Sequence, residues 1–219
     1  MSGAAPAAPL LLIGDVHGCA DELAALIDQA RPCQPVLVGD LYTKGPDAPG
    51  VWRIVQAEGA RAVLGNHDQW LLEHPSEALA LGLPLAALHA LAALPLTLEL
   101  GGITVVHAGL HPVERVAGTG RRLATTVRRW PDDRDRAAPF WWELLGPGPL
   151  VVYGHDAARG LQDHRPRSLG LDTGCVYGGQ LTGYRVQPDD PLGGSLLSAP
   201  AARAYRPVER GQPGLGWRG

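Results

Sequence analysis

The chain alternates short apolar runs with polar, glycine-punctuated loops and amphipathic stretches. Residues 10–13 (LLLI) are aliphatic and too few for a helix, so they read as a buried strand running into Gly14-Asp15-Val16-His17-Gly18. Residues 20–30 (ADELAALIDQA) place Leu23, Leu26 and Ile27 on one face and predict a helix, which Pro32 and Pro35 end. Residues 35–39 predict a second strand leading to Asp40, residues 50–58 a helix, and residues 61–64 a third strand leading to Gly65-Asn66-His67-Asp68. Residues 78–98 carry no formal charge, but Pro84 and Pro95 interrupt them and His89 sits midway, which predicts a buried helix followed by a strand rather than a membrane span. Residues 96–100 and 103–106, joined at Gly101-Gly102, predict a hairpin running into His107, and residues 150–153 a strand running into Gly154-His155-Asp156. Strands are expected at 168–172 and 181–186, with the glycine-rich TGCVYGGQ between them shaping a hairpin turn, and near 198–205. Residues 1–8, rich in Ala, Pro and Gly, are expected to be disordered, and residues 110–149, rich in Arg, Pro and Trp, give no clear element.

Strand, polar loop and helix in repetition is the pattern of a layered α/β domain, and no repeat or linker divides residues 1–219 into more than one. Such folds place their chemistry in the loops that follow strands. Asp15 and His17 are two apart on extended backbone and can reach a common point. Asp40, Asn66-His67, His107 and His155 repeat the arrangement, each with a glycine next to it or, at His107, two residues on, which lets the backbone turn tightly beside a ligand. Singly, each has an ordinary reading as a cap, a turn residue or a surface histidine. Together, carboxylate, amide and imidazole at five strand ends are a donor set for a transition metal.

Composition narrows the setting. A formal charge of −3 gives no electrostatic footprint for double-stranded nucleic acid. No Lys or Arg precedes the first apolar run, so a signal peptide's basic region is missing. Three cysteines (Cys19, Cys33, Cys175) without metal-site spacing fit a reduced, cytoplasmic protein, Cys19 and Cys175 read as small packing residues, and the interrupted uncharged stretch implies no membrane partner.

In chain order, GDVHG (14–18), GDLYTKG (39–45), GNHD (65–68), VHAG (106–109) and YGH (153–155) resemble the motif set of the calcineurin-like metallophosphoesterases, in their phosphoprotein-phosphatase branch. GDLYTKGPD, YGHDAARGLQ (153–162) and LDTGCVYGGQLTGYRV (171–186) look closest to the symmetrical bis(5′-nucleosyl)-tetraphosphatases and the ApaH-like phosphatases. The resemblance implies a sandwich of two mixed β-sheets flanked by helices, with a di-metal site at the strand ends. It assigns Asp15, His17 and Asp40 to a first ion, and the bridging Asp40 with Asn66, His107 and His155 to a second. The cofactor implied is a pair of divalent transition metals, Mn first and Zn, Co or Fe as alternatives, about 3.5–4 Å apart and sharing a hydroxide that attacks phosphorus in line. His67 takes the part of general acid toward the leaving oxygen, against a plainer reading as a hydrogen-bonding loop residue.

Two positions depart from the wider branch, which carries Gly-Asp-x-x-Asp-Arg-Gly. Thr43 stands where a carboxylate would orient the acid histidine, and Lys44 where an arginine would grip phosphate with both its nitrogens. The ApaH-like group shares both changes. A weaker acid harms cleavage of a phosphomonoester more than of an anhydride, so the expected substrate is a phosphoanhydride such as diadenosine tetraphosphate, cut symmetrically to ADP. A phosphatase of protein Ser/Thr/Tyr is the alternative, then a hydrolase of polyphosphate or nucleotide-capped RNA, and in another class a metal-holding module without turnover. Asn66 and Lys44 would also touch phosphate. A further phosphate arginine is expected among Arg121, Arg122, Arg128 and Arg129, with Arg128 preferred. Trp130, Trp141 and Trp142 could stack a base, although core packing is the commoner role of such residues.

Overall fold

The computed structural model describes residues 8–207. In chain order the elements are β1 (Leu10–Ile13), α1 (Ala20–Ala30), β2 (Gln34–Leu37), α2 (Ala48–Ala57), β3 (Arg61–Ala62), α3 (Asn66–Glu73), α4 (Pro75–Ala80), α5 (Leu85–Ala92), β4 (Thr97–Leu100), β5 (Ile103–Val106), α6 (Arg121–Thr126), β6 (Leu150–Tyr153), β7 (Gln162–His164), β8 (Ser168–Gly170), β9 (Gln180–Gln187) and β10 (Asp190–Pro200). The strands form two five-stranded sheets, ordered β10-β9-β1-β2-β3 and β4-β5-β6-β8-β7. Both are mixed: β1, β2 and β3 run parallel with β9 antiparallel to β1, while β5, β6 and β8 run parallel with β4 and β7 antiparallel at the edges.

The all-aliphatic β1 is explained by what covers it. Successive side chains leave a strand on opposite faces. Leu10 and Leu12 enter the core between the sheets with Val36, Val38, Val105, Val152 and Leu169. Leu11 and Ile13 face the other way, into a core shared with Leu23, Leu26 and Ile27 of α1. A third core, outside the second sheet, packs Val106, Val151 and Tyr153 around Trp141. Each parallel strand of the first sheet thus ends at the seam where the second sheet's β5 and β6 also end.

Several expectations change. The uncharged stretch holds the end of α4, all of α5 and the start of β4, and no helix among the described residues is long and apolar enough to cross a membrane. Strands β8 and β9 do not form a hairpin, because they belong to different sheets. The segment between them crosses the seam, with Gly174 (φ +69°) and Gly178 (φ +92°) bracketing a single 3-10 turn at Cys175–Tyr177. The last strand begins earlier than its apolar run, at Asp190, because Tyr184 Oη donates to the Pro191 carbonyl (3.0 Å) and a register shift between Asp190 and Ser195 absorbs the Pro-Leu-Gly-Gly insertion. The disorder expected over residues 1–8 falls, but for residue 8, outside the described residues.

Candidate dinuclear metal centre

Five strand-end loops meet at the seam. β1 delivers Asp15 and His17, β2 delivers Asp40, and β3 leads into Asn66 and His67 at the start of α3, while β5 and β6 deliver His107 and His155. Asp40 lies between two groups. Its Oδ2 is 3.5 Å from His17 Nε2, which is itself 4.0 Å from Asp15 Oδ2. Its Oδ1 is 3.5 Å from His107 Nε2, and Asn66 Oδ1 is 2.9 Å from that same nitrogen and 3.0 Å from His155 Nδ1. One carboxylate therefore addresses both clusters, one oxygen each.

The loops are held in strained backbone. Among the described residues five that are not glycine have positive φ, and four stand here: His17 (+46°), Asp40 (+54°), Lys44 (+70°) and His155 (+73°). Such conformations cost on the order of 1–3 kcal/mol each and concentrate at functional sites. Asp68, wholly buried, supplies part of the compensation: its carboxylate accepts from the backbone N–H of Asp40 (2.7 Å), Leu41 (2.9 Å) and Gly65 (3.1 Å). The His67 N–H donates to Asp40 Oδ1 (2.9 Å), and the His155 N–H to Asp15 Oδ1 (3.1 Å). Two glycines are required by close approach. A Cβ at Gly65 would stand 2.2 Å from Asp40 Oδ1, and one at Gly154 would stand 2.0 Å from Asp15 Oδ1.

The donor set fits a cation. His107 Nδ1 lies 2.9 Å from the Val38 carbonyl, so its proton resides there and Nε2 presents a lone pair to Asn66 Oδ1 and Asp40. His155 Nε2 likewise donates to the Thr126 carbonyl (3.2 Å), leaving Nδ1 as a second lone pair aimed at the Asn66 oxygen. Three acceptors converge on each other. The alternative without a metal is an Asn66 amide turned so that its NH2 faces both rings.

Burial acts on the charges in the same sense. It pushes Asp40 up to about 6 and, with the neighbouring Asp172 and Asp40 charges, holds Asp15 well above the usual carboxylate range. It also holds His17 and His155 well below the ordinary imidazole value and brings His107 down to about 4, so all three are neutral, ligand-ready rings at pH 7. Burial, with Lys44 and His107, brings His67 down to about 3.

A cavity of about 780 Å³ opens over this cluster, lined also by Lys44, Arg128, Arg129, Arg136, Arg159 and Asp172. Of the four arginines considered from sequence, Arg128 and Arg129 reach it and Arg121 and Arg122, on α6, do not. Arg159 and Arg129 both lie over the Phe140 ring, 3.5 and 4.1 Å from its centroid. Thr43 does not orient His67: its Oγ1 is 3.1 Å from His17 Nδ1, and Lys44 Nζ is 3.1 Å from His17 Nε2. None of the three tryptophans singled out from sequence lines the cavity. Trp141 is core, Trp130 meets His111 edge-on, and Trp142 stacks between Phe140 and His164. Asp172 and Tyr177, at the two ends of the turn segment that follows His155 in the chain, both line the cavity, whereas Asp68, Arg136 and Arg159 were missed as site residues. Of these three only Asp68 (in GNHD) carried a usable signal, adjacency to a motif already read.

Fold and site together define a metal-dependent hydrolase of phosphate esters or anhydrides, and the chain belongs to the calcineurin-like phosphoesterase family, whose model matches residues 8–189. The symmetrical bis(5′-nucleosyl)-tetraphosphatase of Ralstonia nicotianae (strain ATCC BAA-1114 / GMI1000) is 29% identical over 272 residues, covering 90% of this chain and 95% of the relative. An asymmetrical bis(5′-nucleosyl)-tetraphosphatase of Geobacillus sp. (strain WCH70) is 25% identical, covering 90% of this chain and 96% of the relative. A crystal structure described provisionally as a diadenosine tetraphosphatase superposes with a TM-score of 0.78 at 32% identity, covering 90% of this chain and 96% of that one.

Proposed function

We propose that the chain hydrolyses a phosphoanhydride bond of a dinucleoside polyphosphate, cutting diadenosine tetraphosphate symmetrically into two ADP. The observation that carries this reading is the set of four arginines, Arg128, Arg129, Arg136 and Arg159, lining the same cavity as the Asp40 cluster. A linear polyphosphate presents a row of anionic oxygens, and guanidinium forks are the side chains suited to gripping them. A single phosphate on a protein side chain has no use for four. The names of the Ralstonia and Geobacillus relatives support the substrate class, and the two differ in where they cut.

In this reading Asp15, His17 and Asp40 hold one divalent ion, and Asp40, Asn66, His107 and His155 a second. Manganese is the first choice, with zinc, cobalt or iron as alternatives, since mixed N/O donors do not separate them. Bound there, the ions supply Lewis-acid charge to the phosphoryl oxygens and a nucleophile from water. Asp40 fixes the spacing of the two positions. Lys44 and Asn66 touch the reacting phosphate and Arg128 its neighbour. His67, neutral at pH 7, presents a ring N–H to the departing oxygen, which on a nucleotide leaves without full protonation. The whole activity belongs to one domain, and the unpaired cysteines suit the cytoplasm.

The test uses metal-stripped protein with Mn²⁺ restored, comparing diadenosine tetraphosphate with a phosphoserine peptide, and Asp40→Ala as blank. ADP as sole product, lost in the blank, is expected. AMP plus ATP would overturn the symmetrical cut. Peptide dephosphorylation with the nucleotide untouched would overturn the anhydride assignment.

A further inference from the structure

A second cavity, about 470 Å³, lies across the wall formed by Lys44, His67 and Tyr177, the three residues it shares with the first. Its character differs. Trp70, Leu81 and Pro207 give it an apolar part, Lys44, Glu77 and Arg206 are its charged residues, and the four arginines of the first cavity are absent from it. Its volume lies within the range of roughly 300–1,000 Å³ typical of small-molecule sites.

The geometry of α3 relates this cavity to the chemistry. His67 and Trp70 are three residues apart on that helix and so occupy one face, Trp70 almost one turn beyond His67. Trp70 packs one ring face on His74, with centroids 4.6 Å apart and planes at 22°, yet 40% of its surface stays exposed. Aromatic surface left open beside a polar reaction site offers a platform for a planar group. Between the two cavities Lys44 Nζ stands 5.5 Å over the Tyr177 ring, putting a cation where an anionic chain would cross from one to the other.

We propose that this second cavity is the subsite for the nucleoside of the departing nucleotide: its base stacks on Trp70, its phosphates pass Lys44 and His67, and Arg206 meets the ribose-phosphate end. The retained nucleotide then keeps its polyphosphate among the four arginines. The inference rests on the phosphoanhydride reading above and adds to it which side of the site each half occupies. Glu77, which also lines this cavity, is an acceptor for an exocyclic amine of the base.

The test compares wild type, Trp70→Ala, Trp70→Phe and Arg206→Ala, each loaded with Mn²⁺, on diadenosine tetraphosphate and on bis(p-nitrophenyl) phosphate, a small diester without a nucleoside. The expected result is a fall of about 5- to 150-fold in the ratio of kcat/KM for the dinucleotide to that for the diester in Trp70→Ala, the span of base–aromatic stacking measured by alanine substitution. Most of that ratio should return in Trp70→Phe, which a merely structural role for the indole would not require. Arg206→Ala should raise KM for the dinucleotide more than it lowers kcat. If the wild type cleaves the dinucleotide and the Trp70→Ala ratio equals its own, the subsite is overturned and the function stands. If the wild type leaves the dinucleotide intact while cleaving the diester, the function is overturned and the subsite with it.

Discussion

Replacing Gly154 by alanine adds one methyl group, and the structure says where it goes. The new Cβ would sit 2.0 Å from Asp15 Oδ1 and 2.6 Å from Val38 Cγ2, while ordinary contact begins near 3.4 Å. Gly154 cannot easily retreat, because its N–H donates to the His107 carbonyl at 2.8 Å. The Asp15 carboxylate must therefore move by at least about 1 Å, far beyond the roughly 0.2 Å tolerance of metal–ligand distances. Moving it also breaks the contact from the His155 N–H, now 3.1 Å. Overpacking of this kind costs about 1–3 kcal/mol, and a 219-residue chain loses roughly 2–4 °C of Tm per kcal/mol, so Tm should fall by several degrees with the fold intact. Affinity at the Asp15–His17 position should fall by 10- to 100-fold or more, and kcat by about 100-fold, the scale of a 1 Å misplacement. Calorimetric titration of metal-stripped protein with Mn²⁺ measures the affinity, circular dichroism the melting, and a turnover assay with Mn²⁺ restored the kcat. Two equivalents bound with wild-type affinity and undiminished turnover would show that Asp15 is not a ligand.

Other perturbations separate support from chemistry. Asp68→Ala strands three buried N–H donors, each worth about 1–3 kcal/mol, so thermal melting should drop by some 6–12 °C or more and activity should fall with it; a melting curve within 2–3 °C of wild type would contradict the bracing role. Thr43→Asp sets a carboxylate against His17, not His67, so Mn²⁺ should bind up to about tenfold tighter with the monoester-to-anhydride rate ratio unchanged; a shifted ratio at constant affinity would restore the sequence-based role of this position. Because Asp40, pushed up to about 6 by burial, and Asp15, held well above the usual carboxylate range, must both lose protons to bind metal, metal affinity should fall by about tenfold or more per pH unit below about 6. His107, at about 4, is already neutral across that window and adds no dependence of its own, so proton release on uptake should grow as the pH is lowered from 8 to 5.5; flat affinity from pH 5 to 8 would refute the coupling.

The residues that could be read from sequence are those that end strands. Asp15, His17, Asp40, Asn66, His107 and His155 each follow an apolar run and lie within two residues of a glycine, a local signal that survives without any knowledge of tertiary structure. Their meeting at one seam follows from the parallel order of β1, β2 and β3 and of β5 and β6. Arg136 sits in an irregular segment and Arg159 ends a single 3-10 turn (Ala157–Arg159), where neither periodicity nor spacing says which side chain turns inward. Trp130, Trp141 and Trp142 drew attention by their proximity in sequence, whereas the aromatic beside His67 is Trp70, one turn away on a helix. The hairpin expected around TGCVYGGQ failed for a related reason. Two adjacent strands with a glycine-rich connection read as partners unless one knows that β6 already holds β8 and that β1 claims β9.

That claim on β9 bears on how the chain is made. Leu10 pairs with Gln34 on one side of β1 and with Val186 on the other. At translation speeds of about 5–20 residues per second, β1 and β2 can be out of the ribosome roughly 8–30 s before β9 exists. Throughout that interval one edge of the most apolar strand in the protein stands open, a template for pairing with any neighbouring nascent chain. Stalling or truncation before residue 180 would leave Leu11 and Ile13 beside an unpaired backbone, so incomplete products should aggregate through this edge even though their first helices and strands are already in place.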